Sequence, residues 1–138
     1  MLNKILLIGN LVADPELRYT PAGTPVTTFR IAVNRKFRTP SGEVREDPLF
    51  VNIVTWNKNA TNCAQFLKKG SQVFVDGRLS IRSYDKDNQR KWITEIVAGE
   101  VKFLGSRRVP EEIQEQEEKP EEIAEEIPPV ELEEGEIP

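Results

Sequence analysis

The sequence predicts an all-β domain with one helix, followed by an acidic tail that has no fold of its own. Five separate stretches read as strands, with apolar and polar residues alternating at period two most clearly in Val26 to Asn34 and Ser71 to Tyr84, and one stretch between the third and fourth switches to a helical period. All ten aromatic residues lie before Leu104, and the charge divides at nearly the same place. Met1 to Arg108 holds 18 Lys and Arg against 10 Asp and Glu, whereas Val109 to Pro138 holds one Lys against 13 Glu. The front is therefore +8 and the tail −12, and the net charge of −4 conceals a basic domain. A basic globular part points to a polyanionic partner.

The elements follow in order. Asn3 to Val12 is apolar on both alternating faces, with Ile5, Leu7 and Leu11 on one and Leu6, Ile8 and Val12 on the other. A barrel strand needs only one dry face, so Ile5, Leu6, Leu7 and Ile8 mark an expected contact with another subunit. Asp14-Pro15-Glu16 and Pro21-Ala22-Gly23-Thr24-Pro25 read as turns. Val26 to Asn34 places Phe29, Ile31 and Val33 inward, and Arg35 to Asp47 is a long polar excursion around Phe37. Leu49 to Trp56 is a third strand, with Phe50, Asn52, Val54 and Trp56 on its outer face.

Ala60, Cys63, Ala64 and Leu67 then form one helical stripe within Asn57 to Gly70, where Lys68 and Lys69 suit the helix C-terminus and Gly70 stops it. Ser71 to Tyr84 returns to alternation, with Val73, Val75, Leu79 and Ile81 inward and Arg78, Arg82 and Tyr84 outward. Asp85 to Lys91 is a hairpin loop before the last strand, Trp92 to Leu104. Five strands with a helix between the third and fourth is the ordering of an OB-fold, a five-stranded Greek-key barrel that commonly binds oligonucleotides. The expected division is an OB-fold domain over residues 1–106 and a disordered acidic tail over 107–138.

The outward positions and loops share one composition. Arg30, Arg35, Lys36, Arg38, Arg78, Arg82, Arg90 and Lys91 are interleaved with Phe37, Phe50, Trp56, Tyr84 and Trp92. Such a groove suits a flexible polyanion with exposed ring faces, because cations track the backbone while bases stack on aromatics. In a duplex the bases are already stacked on each other, so single strands fit better. Singly, each residue has a duller reading: Trp56 and Phe50 as barrel caps, Arg78 and Arg82 as a solvated face paired with Asp76 or Asp85. Their coincidence carries the expectation.

At these residues the chain resembles the bacterial single-stranded DNA-binding protein family. The match runs through Asn3-Lys4, Ile8-Gly9-Asn10-Leu11, Asp14 to Tyr19, Phe29 to Val33, Leu67 to Val73 and Asp76-Gly77-Arg78-Leu79. The resemblance implies a homotetramer around which single-stranded DNA wraps without sequence preference, protected during replication, recombination and repair. By position, it assigns stacking roles to Phe37, Phe50, Trp56 and Tyr84. It also implies a cytoplasmic, nucleoid-associated protein whose acidic C-terminus recruits replication and repair proteins. Glu133, Glu134, Glu136, Ile137 and Pro138 resemble the family's tip without its final Phe, and Glu and Pro replace the family's Gly- and Gln-rich linker.

The tail itself, with 13 Glu, five Pro and no aromatic residue, is too polar to offset the entropy of ordering. Tethered to a basic domain, it is expected to compete with DNA. The absence of His weakens the prior for acid–base catalysis and zinc binding, and no cofactor or metal ion is implied. The lone Cys63 cannot form an internal disulfide, Met1-Leu2-Asn3-Lys4 does not open a signal peptide, and no run approaches the ~18 apolar residues of a membrane span. Two other classes fit less well. One is an RNA-binding OB-fold module, and the other is a metal-dependent nuclease using Asp14, Glu16 or Asp76.

Overall fold

Alternating residues pair into six strands in the computed structural model, which describes residues 1–106. The expected tail over 107–138, with its tip at Glu133 to Pro138, lies outside the described residues. In chain order the elements are β1 (Ile5–Leu11), β2 (Glu16–Tyr19), β3 (Pro25–Arg38), β4 (Val44–Trp56), α1 (Asn57–Phe66), β5 (Ser71–Lys86) and β6 (Gln89–Ser106). The sheet order is β1-β5-β6-β4-β3-β2, and β1 also pairs with β3 through Asn10↔Ala32 and Leu11↔Ile31. That pairing closes a five-stranded barrel, as the OB-fold ordering predicts.

Leu11, Phe29, Ile31, Ile53, Val73, Val75 and Ile96 fill the interior, drawn from all five barrel strands. Removing each from water contributes about 1.5–3 kcal/mol. Cys63 of α1 and Leu67 just beyond it plug this core, and Ile5, Leu7, Val33, Val51 and Val101 pack at its edge. Closure demands close backbone crossings. A Cβ on Gly9 would lie 2.6 Å from the Ala32 carbonyl oxygen, and one on Gly77 would run into the Val97 carbonyl oxygen. Only glycine allows either approach.

Several expectations change. The polar excursion at Arg35 to Asp47 is no loop, because β3 and β4 stay paired out to Arg38↔Val44 and turn at residues 39–43. The loop expected at Asp85 to Lys91 is likewise a continuous ribbon, turned by Asp87 (φ 53°) and Asn88 (φ 62°). Two successive left-handed residues make the turn whose twist matches a hairpin. Leu79 and Ile81 keep their inward alternation but are 37 % and 57 % exposed, since β5 has by then left the barrel.

The helix also stops early. Leu67 adopts extended backbone at ψ 148°, so Lys68, Lys69 and Gly70 form the turn into β5 instead of a last helical turn. The segment read as a turn around Glu16 contains β2, paired with β3 through Glu16↔Thr28 to Tyr19↔Pro25. All four of its residues are exposed, so it carries no alternation to read.

Candidate nucleic-acid interface

Register assigns each candidate residue to a face, because directly opposed residues share one. The pairs Val26↔Trp56, Thr28↔Val54, Arg30↔Asn52 and Ala32↔Phe50 join β3 to β4 on the side away from the core. Val54↔Val97 carries that face onto β6, and Arg78↔Val97, Ser80↔Glu95, Arg82↔Ile93 and Tyr84↔Lys91 carry it onto β5. Arg30, Phe50, Trp56, Arg78, Arg82, Tyr84 and Lys91 therefore share one outer surface.

Alternation separates the remaining rings from this set. Phe37 opposes Arg45 and Trp92 opposes Ser83, so both lie on the reverse faces of their ribbons, with Arg35 and Arg90. Lys36 and Arg38 return to the face of Phe50. Within each group, cations and rings pair: the Arg30 guanidinium lies 5.2 Å from the Phe50 ring centroid, Arg35 5.0 Å from Phe37 and Arg90 5.7 Å from Trp92. Trp92 is 64 % exposed and Phe37 38 %, while Phe50 and Tyr84 are half-buried.

Trp56 departs from the expected exposed platform. It is 4 % exposed and packs with Val26, Val54 and Val97 in a second, smaller core on the outer face, and its Nε1–H has no hydrogen-bond partner. The outer face is thus not open throughout. Three valines at outward positions were the available signal, legible only once the strands are paired.

The cations differ in how firmly they are held. Arg35 Nη2 lies 3.7 Å from Asp47 and Lys36 Nζ 3.5 Å from Glu46, with all four side chains more than half exposed. Such pairs are weak and exchange readily. Arg30 is more constrained: its Nε is buried without a partner, and burial pushes its pKa below the usual arginine value. An acceptor arriving there would satisfy a donor that folding leaves unpaired. Arg82 donates from Nε to Glu95 Oε1 at 2.8 Å, and the two side chains are only 21 % and 8 % exposed. The Asp76 or Asp85 partner considered for it is replaced by Glu95, a residue the sequence reading missed, and Asp76 pairs instead with Lys4 at 3.3 Å.

The four residues expected at a subunit contact divide between two faces. Leu6 and Ile8 are 56 % and 51 % exposed on β1, whereas Ile5 and Leu7 turn inward onto the core by strict alternation. Among the described residues no three His, Cys, Asp or Glu side chains gather as a metal site, and no helix is long and apolar enough to cross a membrane.

The chain is similar to known proteins. Over 105 residues the chain is 52 % identical to single-stranded DNA-binding protein 2 of Listeria monocytogenes, a match covering 75 % of this chain and 64 % of that protein. The single-stranded DNA-binding protein of Caldanaerobacter subterraneus subsp. tengcongensis is 47 % identical over 135 residues, covering 93 % of this chain and 89 % of that one. Among solved structures, the Plasmodium falciparum SSB in complex with ssDNA superposes with a TM-score of 0.70 at 33 % identity, covering 75 % of this chain and 96 % of that one. With residues 2–104 also matching the model of the Single-strand binding protein family, the chain belongs to that non-catalytic family.

Proposed function

We propose that the chain binds single-stranded DNA without sequence preference, coating and protecting it in replication, recombination and repair. The observation that carries this is the pairing of guanidinium groups with rings, Arg30 with Phe50, Arg35 with Phe37 and Arg90 with Trp92, along one sheet face and two projecting ribbons. Rings give unpaired bases a surface to stack on, and the cations follow the phosphates. Two-stranded ribbons twist strongly, which lets the reverse-face pairs at Phe37 and Trp92 continue the path of a flexible strand. The relatives' names and the similar complex with ssDNA support the same ligand.

The working form is a homotetramer in the cytoplasm, associated with the nucleoid, in which the exposed Leu6 and Ile8 are covered by another copy. The acidic tail recruits replication and repair proteins through Glu133, Glu134, Glu136, Ile137 and Pro138 and competes with DNA for the basic domain. Titration with poly(dT), followed by tryptophan fluorescence, tests the central claim through the exposed Trp92. Saturable quenching is expected, with affinity falling as salt rises, and Phe50→Ala weakens it by about 1–3 kcal/mol. Equal affinity for duplex DNA, or tighter binding of a matched RNA, would refute the assignment.

A further inference from the structure

We propose that Glu95 limits how tightly this groove holds a nucleic-acid strand, by cancelling the charge of Arg82 within the site; the proposal rests on the single-strand-binding reading above. Glu95 lies on the same outer face as Arg78, Arg82 and Tyr84, opposite Ser80. Its Oε1 accepts the Arg82 Nε–H at 2.8 Å, and its side chain is 8 % exposed. A carboxylate inside a surface meant for phosphates needs a reason.

The contrast with the neighbouring pairs supplies one. Arg35–Asp47 and Lys36–Glu46 are open to water at 3.7 and 3.5 Å, so a phosphate displaces either carboxylate into solvent at little cost. Displacing Glu95 would strand a buried charge without its partner, which is strongly unfavourable. Glu95 therefore stays, and Arg82 adds no net positive charge to the groove although the sequence counts it as a cation. Its Nη2, buried and unpaired, remains as a donor for a neutral acceptor on a base or sugar.

Salt dependence reads this directly, because each phosphate neutralised on a single strand adds about 0.7 to the slope of log K against log salt. Glu95→Gln keeps the acceptor for Arg82 and removes the negative charge. The expected slope is steeper by about 0.7, which tightens binding about eightfold at 50 mM salt and about threefold at 200 mM if the two lines meet at 1 M. Arg82→Gln/Glu95→Gln loses donor atoms and some affinity but keeps the wild-type slope, since it removes a pair of zero net charge.

Fluorescence anisotropy of a labelled oligo(dT), measured across salt with the full chain and both variants, decides it. An Glu95→Gln slope equal to wild type, or weaker binding at every salt, overturns the proposal. A double variant shallower by about 0.7 also overturns it, by showing that Arg82 already neutralises a phosphate, and this arm stands even if Glu95→Gln folds poorly. Failure of the wild-type chain to bind oligo(dT) would overturn the underlying reading and the proposal together, whereas wild-type binding with an unshifted Glu95→Gln slope overturns the proposal alone.

Discussion

Replacing Trp56 by Ala separates a ring that stacks on DNA from a ring that holds the barrel face together. Trp56 is 4 % exposed among Val26, Val54 and Val97, so truncation empties a packed site. Large-to-small changes of this kind cost about 3–5 kcal/mol, a large share of the 5–15 kcal/mol that separates most folded domains from their unfolded state. For a domain of about 100 residues that lowers the thermal midpoint by more than about 12 °C. Trp56→Phe behaves differently, because it keeps most of the apolar ring while deleting an Nε1–H that is buried without a partner. An unpaired buried donor costs about 1–3 kcal/mol, so its removal offsets much of the lost volume, and the net cost should stay below about 1.5 kcal/mol. Thermal and urea unfolding followed by circular dichroism, at one fixed protein concentration because association contributes to apparent stability, measures both variants. A Trp56→Ala midpoint equal to wild type, combined with lost DNA affinity, would refute the burial and restore Trp56 as an exposed stacking ring.

Three further outcomes are expected. Gly77→Ala forces a Cβ into the Val97 carbonyl oxygen and should destabilise the domain by at least about 2 kcal/mol, whereas Gly42→Ala, with open space around it, should cost less; equal midpoints would contradict the tight crossing. Leu6→Glu with Ile8→Glu should lower the sedimenting mass while leaving far-ultraviolet circular dichroism unchanged, and an unaltered mass would remove β1 from the subunit contact. Burial pushes the Cys63 thiol up to about 11, with a hydrogen bond to the Thr55 side chain opposing the shift. A thiol raised above its unfolded value of about 9 stabilises the fold below that pH, and the contribution is lost as pH climbs from about 9 to about 11, on the order of 2 kcal/mol. Urea unfolding at pH 8 and 10.5 should show this loss in wild type beyond any seen in Cys63→Ala.

What the sequence could reveal was set by how local each feature is. The inward alternation of Phe29, Ile31, Val73 and Val75 and the buried face of Ala60 and Cys63 are properties of single elements, and all six are buried in the fold. The burial of Trp56 depends on valines 30 residues upstream and 41 downstream, so no window along the chain contains it. Glu95 was invisible for the same reason: it reads as one polar residue in an apolar strand until Arg82 is placed beside it. Phe37 was assigned to a loop, and Trp92 to the start of a strand just after one, because their polar surroundings lack a buried face, yet both belong to paired ribbons that have left the barrel. Alternation also divides them from Phe50 and Tyr84, a separation that loops would not have imposed.

That both ribbons remain in strict register to their tips restricts how their lengths can change. Adding two residues to each arm of the β3–β4 hairpin would extend its reach while every ring kept its side. One extra residue per arm would instead invert everything distal to it, moving Phe37 and Arg35 across together. Reach along a bound strand is therefore quantised in steps of about 6.8 Å, the rise of two antiparallel strand residues.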